Sequence, residues 1–517
     1  MTSRHILKSR GEPAVRHLAQ VMAAFARPRD LITLEGDLGA GKTTFARAFI
    51  RSLAGDDELE IPSPTFTLVQ SYATPRLDVA HYDLYRLSDE SELAELGLDD
   101  ALARGIALVE WPERGGALLP TDRLTVRFSD VRLPDGSIDP DARDIEIVPG
   151  AGMSARADRL MRIIAFIDEA GWGGGDVDVA YLQGDASARR YARLSRIGNG
   201  TAVLMDWPRQ PDGPPIRDGK PYSRIAHLAE DVRPFVAVAD RLSAFGVATP
   251  RILAAELDTG LLLLEDLGDR VFGRELAAGS DQEMLWRAAL DVLVALRAAP
   301  ADAPMPVAGA QSWTLPRYDR GAMTIETELL SDWLWPFATG QDMPGPLKAD
   351  YKALWASLID ALQALPTGWA LRDFHSPNLI WQPQHTGLAR VGVIDFQDAM
   401  QGPLAYDVVS LLQDARVDVA SILEQRLLAH YCAAARNLGP GFDEDGFRFA
   451  YAALGAQRNT KILGIFARLA VRDSKPQYVA HMPRIWGYLR RCLQHPQLAA
   501  LKSFYDAHVF ALEGRRA

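Results

Sequence analysis

The sequence predicts two folds in tandem, an α/β domain over residues 1–150 and a bilobal α+β domain over residues 155–517. Three observations carry this reading. Strand-length apolar runs alternate with helical patterns through the first stretch, the rhythm of a sheet covered by helices. The segment Pro149-Gly150-Ala151-Gly152 then breaks that rhythm. Beyond it lie short strands with a helix among them, and from about Gln282 onward the sequence is mostly helical.

Each element has its own signal. Pro13 to Phe25 has helical spacing, with Val15, Leu18, Ala19 and Met22 on one face. Leu31 to Glu35 is a short buried strand, and Lys42 to Leu53 is a helix presenting Phe45, Ala46, Phe49 and Ile50. Further strands are expected at Thr67–Tyr72, Val79–Tyr82, Ile106–Val109, Leu124–Phe128 and Asp144–Val148. After the break, Ala157 to Ala170 is an amphipathic helix, and Gly171 to Gly175 is a Gly-rich interruption. Strands follow at Val179–Leu182, Arg190–Leu194 and Thr201–Met205, then a Pro-rich loop from Pro208 to Pro221. A helix from Arg224 to Phe245 precedes strands at Arg251–Ala255 and Leu261–Glu265. The small lobe of this second fold takes about residues 155–268 and the large lobe about 269–517. There is no internal repeat and no low-complexity tract.

Composition narrows the function classes. A chain of 517 residues has room for about three domains of roughly 150 residues each. Its 48% hydrophobic and 24% charged content is that of an ordinary globular protein. With 56 basic against 67 acidic residues, the net charge of −11 argues against a strong nucleic-acid-binding face, so any RNA is reached through a partner. Two cysteines, Cys432 and Cys492, without metal spacing read as reduced thiols. Met1-Thr2-Ser3-Arg4-His5 leads into a polar stretch rather than a signal core. No run approaches the roughly 18 apolar residues that span a bilayer. A cytoplasmic protein without membrane contact is expected.

Gly36-Asp37-Leu38-Gly39-Ala40-Gly41-Lys42-Thr43 is a full P-loop, set between a strand and a helix. Such a loop wraps phosphate in backbone N–H groups at a helix N-terminus. Lys42 reaches the β/γ oxygens of ATP and the Thr43 hydroxyl binds Mg²⁺. The first fold is therefore an α/β P-loop NTPase domain. Its nucleotide-binding candidates are Gly36, Gly39, Ala40, Gly41, Lys42, Thr43 and Thr44.

Three more stretches accompany the loop: Pro62-Ser63-Pro64-Thr65-Phe66-Thr67, His81-Tyr82-Asp83-Leu84-Tyr85-Arg86 and Val109-Glu110-Trp111-Pro112. In this order and spacing, residues 10–148 closely resemble the TsaE-type ATPases, which assist bacterial synthesis of N6-threonylcarbamoyladenosine in tRNA. The resemblance implies that Thr65 senses the γ-phosphate and that Asp83 orients water or metal-side ligands. It implies that Glu110 contacts Mg²⁺ directly or through water, and it places Trp111 near the nucleotide or facing a partner. It also implies TsaB/TsaD-like partner proteins. Asp83 and Glu110 as plain strand-end charges, and Trp111 as packing, stay open. No arginine finger is evident, which fits an ATPase that is slow without partners.

The second nucleotide signature is Arg372-Asp373-Phe374-His375-Ser376-Pro377-Asn378, followed by the strand Val391–Ile394 and Asp395-Phe396. In protein-kinase-like folds an Asp accepts the proton of the attacking hydroxyl, an Asn five positions on binds Mg²⁺, and a second Asp holds the bridging metal. Asp373, Asn378 and Asp395 have these positions. His375 either packs beneath the loop or contacts substrate. Leu371 stands where kinases carry His, and the strand Ala202–Asp206 lacks the usual lysine. Arg189, Arg190 or Arg193 could supply that charge, with Arg190 the preferred cofactor contact, and the reading of each as an exposed hairpin arginine stays open.

Gly184-Asp185-Ala186-Ser187-Ala188-Arg189-Arg190-Tyr191, Met205-Asp206-Trp207-Pro208, Leu264–Asp269, Ile394–Ala399 and Gln457-Arg458-Asn459-Thr460-Lys461 add to this pattern. Together they make residues 158–510 similar to the aminoglycoside-phosphotransferase superfamily, and within it to the AmgK-type sugar kinases of peptidoglycan recycling. The resemblance implies ATP-dependent phosphorylation of N-acetylmuramate and N-acetylglucosamine at the anomeric hydroxyl. It makes Glu265-Asp266-Leu267 the hinge whose backbone meets adenine, through Glu265 and Leu267. The lactyl carboxylate of N-acetylmuramate calls for a cation, and Arg458 and Lys461 are candidates, though both could be salt-bridged helix residues. Other readings stay open: an aminoglycoside, choline or homoserine kinase, a sugar-sensing pseudokinase, and a first half that is a nucleotide-gated assembly module.

Overall fold

The computed structural model describes residues 5–183, 189–196, 198, 200–307, 311–439 and 441–516. The motif segment Gly184–Ala188 lies outside the described residues. The chain forms two compact units, one of Met1–Pro208 with Ile252–Asp266, the other of Arg209–Arg251 with Leu267–Ala517.

The first unit holds two sheets. Strands β1 (His5–Arg10), β2 (Leu31–Glu35), β3 (Val69–Tyr72), β4 (Asp78–Asp83), β5 (Gly105–Glu110), β6 (Leu124–Arg132) and β7 (Ile138–Pro149) lie in the order β1-β7-β6-β2-β5-β4-β3. The centre is parallel, with β2 between β5 and β6, while β1, β7 and β3 pair antiparallel. Parallel pairing requires crossovers, supplied in part by helices α1 (Gly11–Ala24) and α2 (Lys42–Ala54). Asp83 on β4 stands opposite Glu110 on β5, and Leu34 on β2 also pairs Glu110, so the two candidate carboxylates share one end of the sheet.

The second sheet is antiparallel and five-stranded. After α5 (Ser154–Glu169), numbered past the short helices α3 (Glu92–Glu95) and α4 (Leu98–Arg104), come β8 (Val177–Leu182), β9 (Arg190–Arg196) and β10 (Thr201–Asp206). The strands Leu261–Glu265 and Ile252–Glu256 complete it beyond β10. One apolar core runs through both sheets, from Val15, Leu18 and Met22 of α1 and Phe45 and Phe49 of α2 to Ile163 and Ile167 of α5 and Val179, Leu194 and Leu204 of the second sheet. Helix α1 lies along β8: His17 Nδ1 is 2.8 Å from the Val177 carbonyl, and the Gln20 amide meets both Asp178 and the Val179 N–H. Arg156 of α5 pairs with buried Asp30, the residue preceding β2.

The second unit is mostly helical, and two short ribbons present its loops. Thr367–Ala370 pairs with Met400–Pro403, and Leu379–Trp381 with Val391–Val393. The Arg372–Asn378 loop therefore leaves one ribbon and enters the other, and Asp395 follows the second. The 28-residue helix Glu444–Val471 is buried along most of its length.

Two local readings differ from the sequence expectation. The single helix expected from Arg224 to Phe245 is two, Tyr222–Ile225 and Arg233–Ala244. Pro234 fits only a first helical turn, the Asp231 carboxylate accepts the Arg233 N–H at 2.9 Å, and His227 sits at φ +53°. The polar stretch from His5 to Arg10, given no element from its sequence, is strand β1, because β7 offers it a pairing edge. Cys432 and Cys492 are free and buried. Among the described residues, no helix is long and apolar enough to cross a membrane.

Candidate active sites

In the first unit the loop after β2 turns through glycines at positive φ, with Gly36 at +146°, Gly39 at +80° and Gly41 at +109°. At Gly36 a Cβ would sit 2.8 Å from the Phe128 carbonyl oxygen, so no side chain fits there. Helix α2 starts at Lys42, directing Thr43, Thr44 and the loop amides around Ala40 to the same end. The Lys42 ammonium donates to the Gly36 and Asp37 carbonyls at 2.6 and 2.8 Å and lies 3.7 Å from the Trp111 ring centroid. Burial pulls its pKa below the ordinary lysine value, against Glu110, Glu113, Asp83 and Asp37, which favour the charge.

The carboxylates are pre-oriented. Thr43 Oγ1 donates to Glu110 Oε2 at 3.0 Å, and Glu110 Oε1 lies 2.9 Å from His81 Nε2. Asp83 Oδ2 accepts from Ser63 and from Thr65, both at 2.6 Å, and Oδ1 accepts the Tyr85 N–H at 3.1 Å. Glu110, Asp83 and His81 are all buried. Trp111 sits at φ +58° with its ring 5.0 Å from that of Tyr85. The Thr43 hydroxyl beside the Glu110 carboxylate is a pair of hard oxygen donors, a set that suits Mg²⁺, which takes few protein ligands and completes its shell with water and phosphate. His81 received no role from its sequence, although it stands two residues before Asp83 in the motif.

In the second unit Arg372 and Asp395 adopt positive φ, +73° and +62°, a conformation that costs free energy and concentrates at functional sites. Asp407 holds the loop by accepting the Leu371 and Arg372 N–H groups at 2.5 and 2.9 Å, and Asp414 accepts the Ser376 N–H at 2.7 Å. Burial, with Asp373 adding to it, pushes Asp407 up to about 7 against those two N–H groups and Arg458. Asn378 Nδ2 donates to the Asp373 carbonyl at 3.0 Å and to Asp395 Oδ2 at 3.3 Å, and Gln397 donates to Asp395 Oδ1 at 3.0 Å. Asp373, Asn378 and Asp395 thus form one cluster, and its oxygen donors also suit Mg²⁺.

The remaining predicted residues are placed as follows. His375 donates its backbone N–H to the Asp373 carbonyl at 3.1 Å, while its ring Nδ1 is buried without a hydrogen-bond partner among the described residues. Lys461 gives its ammonium to fully buried Glu326 at 2.8 Å, and Arg458 is buried. Arg190 is bound by Asp206, and its guanidinium lies 5.2 Å from the Phe25 ring. Arg193 pairs with Asp266 at 2.6 Å, and Arg189 lies over Trp207. Glu265 ends its strand opposite Ala202, and the Leu267 side chain lies against Gly392.

Residues 9–134 match the family model described as threonylcarbamoyl adenosine biosynthesis protein TsaE, and residues 178–448 match that of the phosphotransferase enzyme family. The chain belongs to the phosphotransferase enzyme family, joined to a TsaE domain. An N-acetylmuramate/N-acetylglucosamine kinase of Caulobacter vibrioides is 39% identical over 373 residues, 70% of this chain and 100% of that protein. One from Pseudomonas aeruginosa is 35% identical over 64% of this chain and 89% of that protein. A TsaE of Rickettsia bellii is 42% identical over 25% of this chain and 87% of that protein. The two parts therefore occur elsewhere as separate proteins, and this chain is an ATP-using enzyme. In the TsaE domain lies the P-loop with Glu110 and Asp83, and in the phosphotransferase part the loop of Asp373, Asn378 and Asp395.

Sequence reasoning missed Glu326. Its carboxylate accepts from Arg372 at 2.6 Å, Lys461, Tyr318 and Gln457, which ties the Arg372–Asn378 loop to the long helix. In the sequence its only signal was a carboxylate whose neighbours three and four positions away, Ala322, Met323, Leu329 and Leu330, are all apolar.

Proposed function

We propose that the phosphotransferase part transfers the γ-phosphoryl of ATP to the anomeric hydroxyl of N-acetylmuramate or N-acetylglucosamine, and that the TsaE domain hydrolyses ATP in support of threonylcarbamoyladenosine synthesis. The observation that carries the first statement is the Asp373–Asn378–Asp395 cluster, in a part of the chain 39% identical to a sugar kinase along that protein's whole length.

In this reading Asp373 takes the proton of the sugar hydroxyl, whose oxygen forms a bond to the γ-phosphorus while the bond to the β–γ bridging oxygen breaks and ADP leaves. An anomeric hydroxyl is more acidic than an ordinary alcohol, so a carboxylate base suffices once the sugar is held. Mg²⁺, held by Asn378 and Asp395, supplies charge neutralisation at the phosphates when bound. Asp407 and Glu326 fix the loop through Leu371 and Arg372. In the TsaE domain Lys42 and the loop amides bind phosphate, Thr43 and Glu110 hold Mg²⁺, and Thr65 on Asp83 senses the γ-phosphate. TsaB/TsaD-like proteins are the expected partners, and the acidic chain would meet tRNA through them.

Incubation of the full chain with ATP and a sugar panel, read by ³¹P NMR, tests this. N-acetylmuramate and N-acetylglucosamine should give anomeric phosphates, and transfer to neither would refute the sugar-kinase reading. Asp373→Asn should lower turnover about 10²- to 10⁴-fold while leaving sugar affinity intact. Lys42→Ala should abolish modification of tRNA in a reconstituted system and leave sugar phosphorylation within about twofold.

A further inference from the structure

In the second unit a cavity of about 560 Å³ is walled by Tyr222, Ser223, Trp333, Arg468 and Arg472. Most charged groups around it have partners. Glu328 pairs with Lys352 at 3.0 Å and with Arg217, and Asp332 pairs with Lys348 at 2.7 Å. Glu230 accepts from Ser223 at 3.2 Å, and Arg472 donates to Asp473 at 2.7 Å.

Arg468 is different. Among the described residues its guanidinium makes no hydrogen bond or ion pair, its Nε is fully buried, and its only aromatic neighbour is Tyr222, 5.5 Å from the ring centroid. Burial disfavours its charge, Asp473 favours it only at a distance while bonded to Arg472, and a planar guanidinium is shaped for a two-pronged carboxylate.

Both walls of the cavity are fastened to the catalytic loop. On one side the segment Tyr222–Glu230 receives Arg372 Nη1 on the Ala226 carbonyl at 2.7 Å and donates the Ala229 N–H to Asp398 at 2.6 Å. Arg372 immediately precedes Asp373, and Asp398 lies three residues beyond Asp395. On the other side the helix bearing Arg468 reaches Glu326 through Lys461, and Glu326 holds Arg372.

We propose that this cavity is the subsite for an acidic substituent on the sugar, with Arg468 pairing its carboxylate and the rings of Tyr222 and Trp333 lining the ring-side wall. The proposal rests on the sugar-kinase reading above. It assigns the carboxylate to Arg468 because Lys461, a sequence candidate for that role, is bonded to Glu326. Arg468 is then a specificity-determining residue: it discriminates a sugar acid from its neutral counterpart.

Steady-state kinetics of the full chain on N-acetylmuramate, its carboxamide and N-acetylglucosamine test this without any variant. The wild-type protein should use the carboxamide with kcat/KM lower by about 10- to 100-fold than the acid. Equal use of acid and amide would overturn the proposal. Arg468→Met should raise KM for N-acetylmuramate by a similar factor and change N-acetylglucosamine turnover less than threefold, with Arg468→Lys between the two. Unchanged kinetics, or an equal loss on both sugars in a variant with native circular dichroism, would also overturn it. If the wild-type protein phosphorylated neither sugar, the sugar-kinase reading itself would fall and take this inference with it, an outcome separate from failure to distinguish acid from amide.

Discussion

Glu326 is the residue on which the Arg372–Asn378 loop of the phosphotransferase part rests. Burial alone would raise its pKa, yet Lys461 and Arg372, with a hydrogen bond from Tyr318, bring it down to about 2. Its folded pKa is therefore below the unfolded value, so its contribution to stability is fully present above the ordinary carboxyl range near 4.5 and fades as pH falls toward 2. Glu326→Gln leaves two buried cations without their anion and should cost about 3–5 kcal/mol at neutral pH, measured by urea denaturation. The same titration repeated from pH 5 to pH 2 should show an acid-dependent loss in the wild-type protein that is smaller in the variant. An equal acid loss in both would mean that another carboxylate carries it.

At the scale of the element, the helix Glu444–Val471 approaches its neighbour without a side chain between them. A Cβ at Gly464 would lie 2.5 Å from the backbone C and O atoms of Leu329, in the helix Arg320–Leu329. Gly464→Ala must push the two helices apart and should destabilise the protein by about 1–3 kcal/mol, despite the better helix propensity of alanine. Thermal unfolding checks the sign: a stabilised variant would mean that the helices separate freely. What the sequence discloses divides along similar lines. The P-loop and the Asp373–Asn378 loop were legible because their chemistry needs contiguous residues at fixed spacing. Glu326, Asp407 and Asp414 were not, since each acts on a loop 35 to 46 residues away, and the two aspartates act on backbone N–H groups that no spacing announces. The Arg224–Phe245 helix was overdrawn because apolar spacing continues on both sides of Pro234, where the proline and the Asp231–Arg233 turn rather than periodicity set the boundary.

At the scale of the whole molecule, the TsaE domain and the five-stranded sheet of the phosphotransferase part share one core. Asp30, buried in front of the strand that feeds the P-loop, is matched by Arg156 of α5, the helix just ahead of the residues matched to the phosphotransferase family. Arg156→Met should cost about 3 kcal/mol by leaving that carboxylate alone. Hydrogen exchange should report the loss on β2 and β8 amides together, and a response confined to β2 would show that the two sheets open independently. Helix α1 carries a further consequence. His17 and Gln20 occupy the carbonyl and N–H groups along the outer side of β8, the last strand of its sheet. A kinase fragment cut free at residue 150 would bare that edge to any passing strand, and such edges template self-association. Light scattering should find the fragment oligomeric at concentrations where the full chain is not, and a monomeric fragment would mean that the fused domain is not needed to keep this edge from self-association.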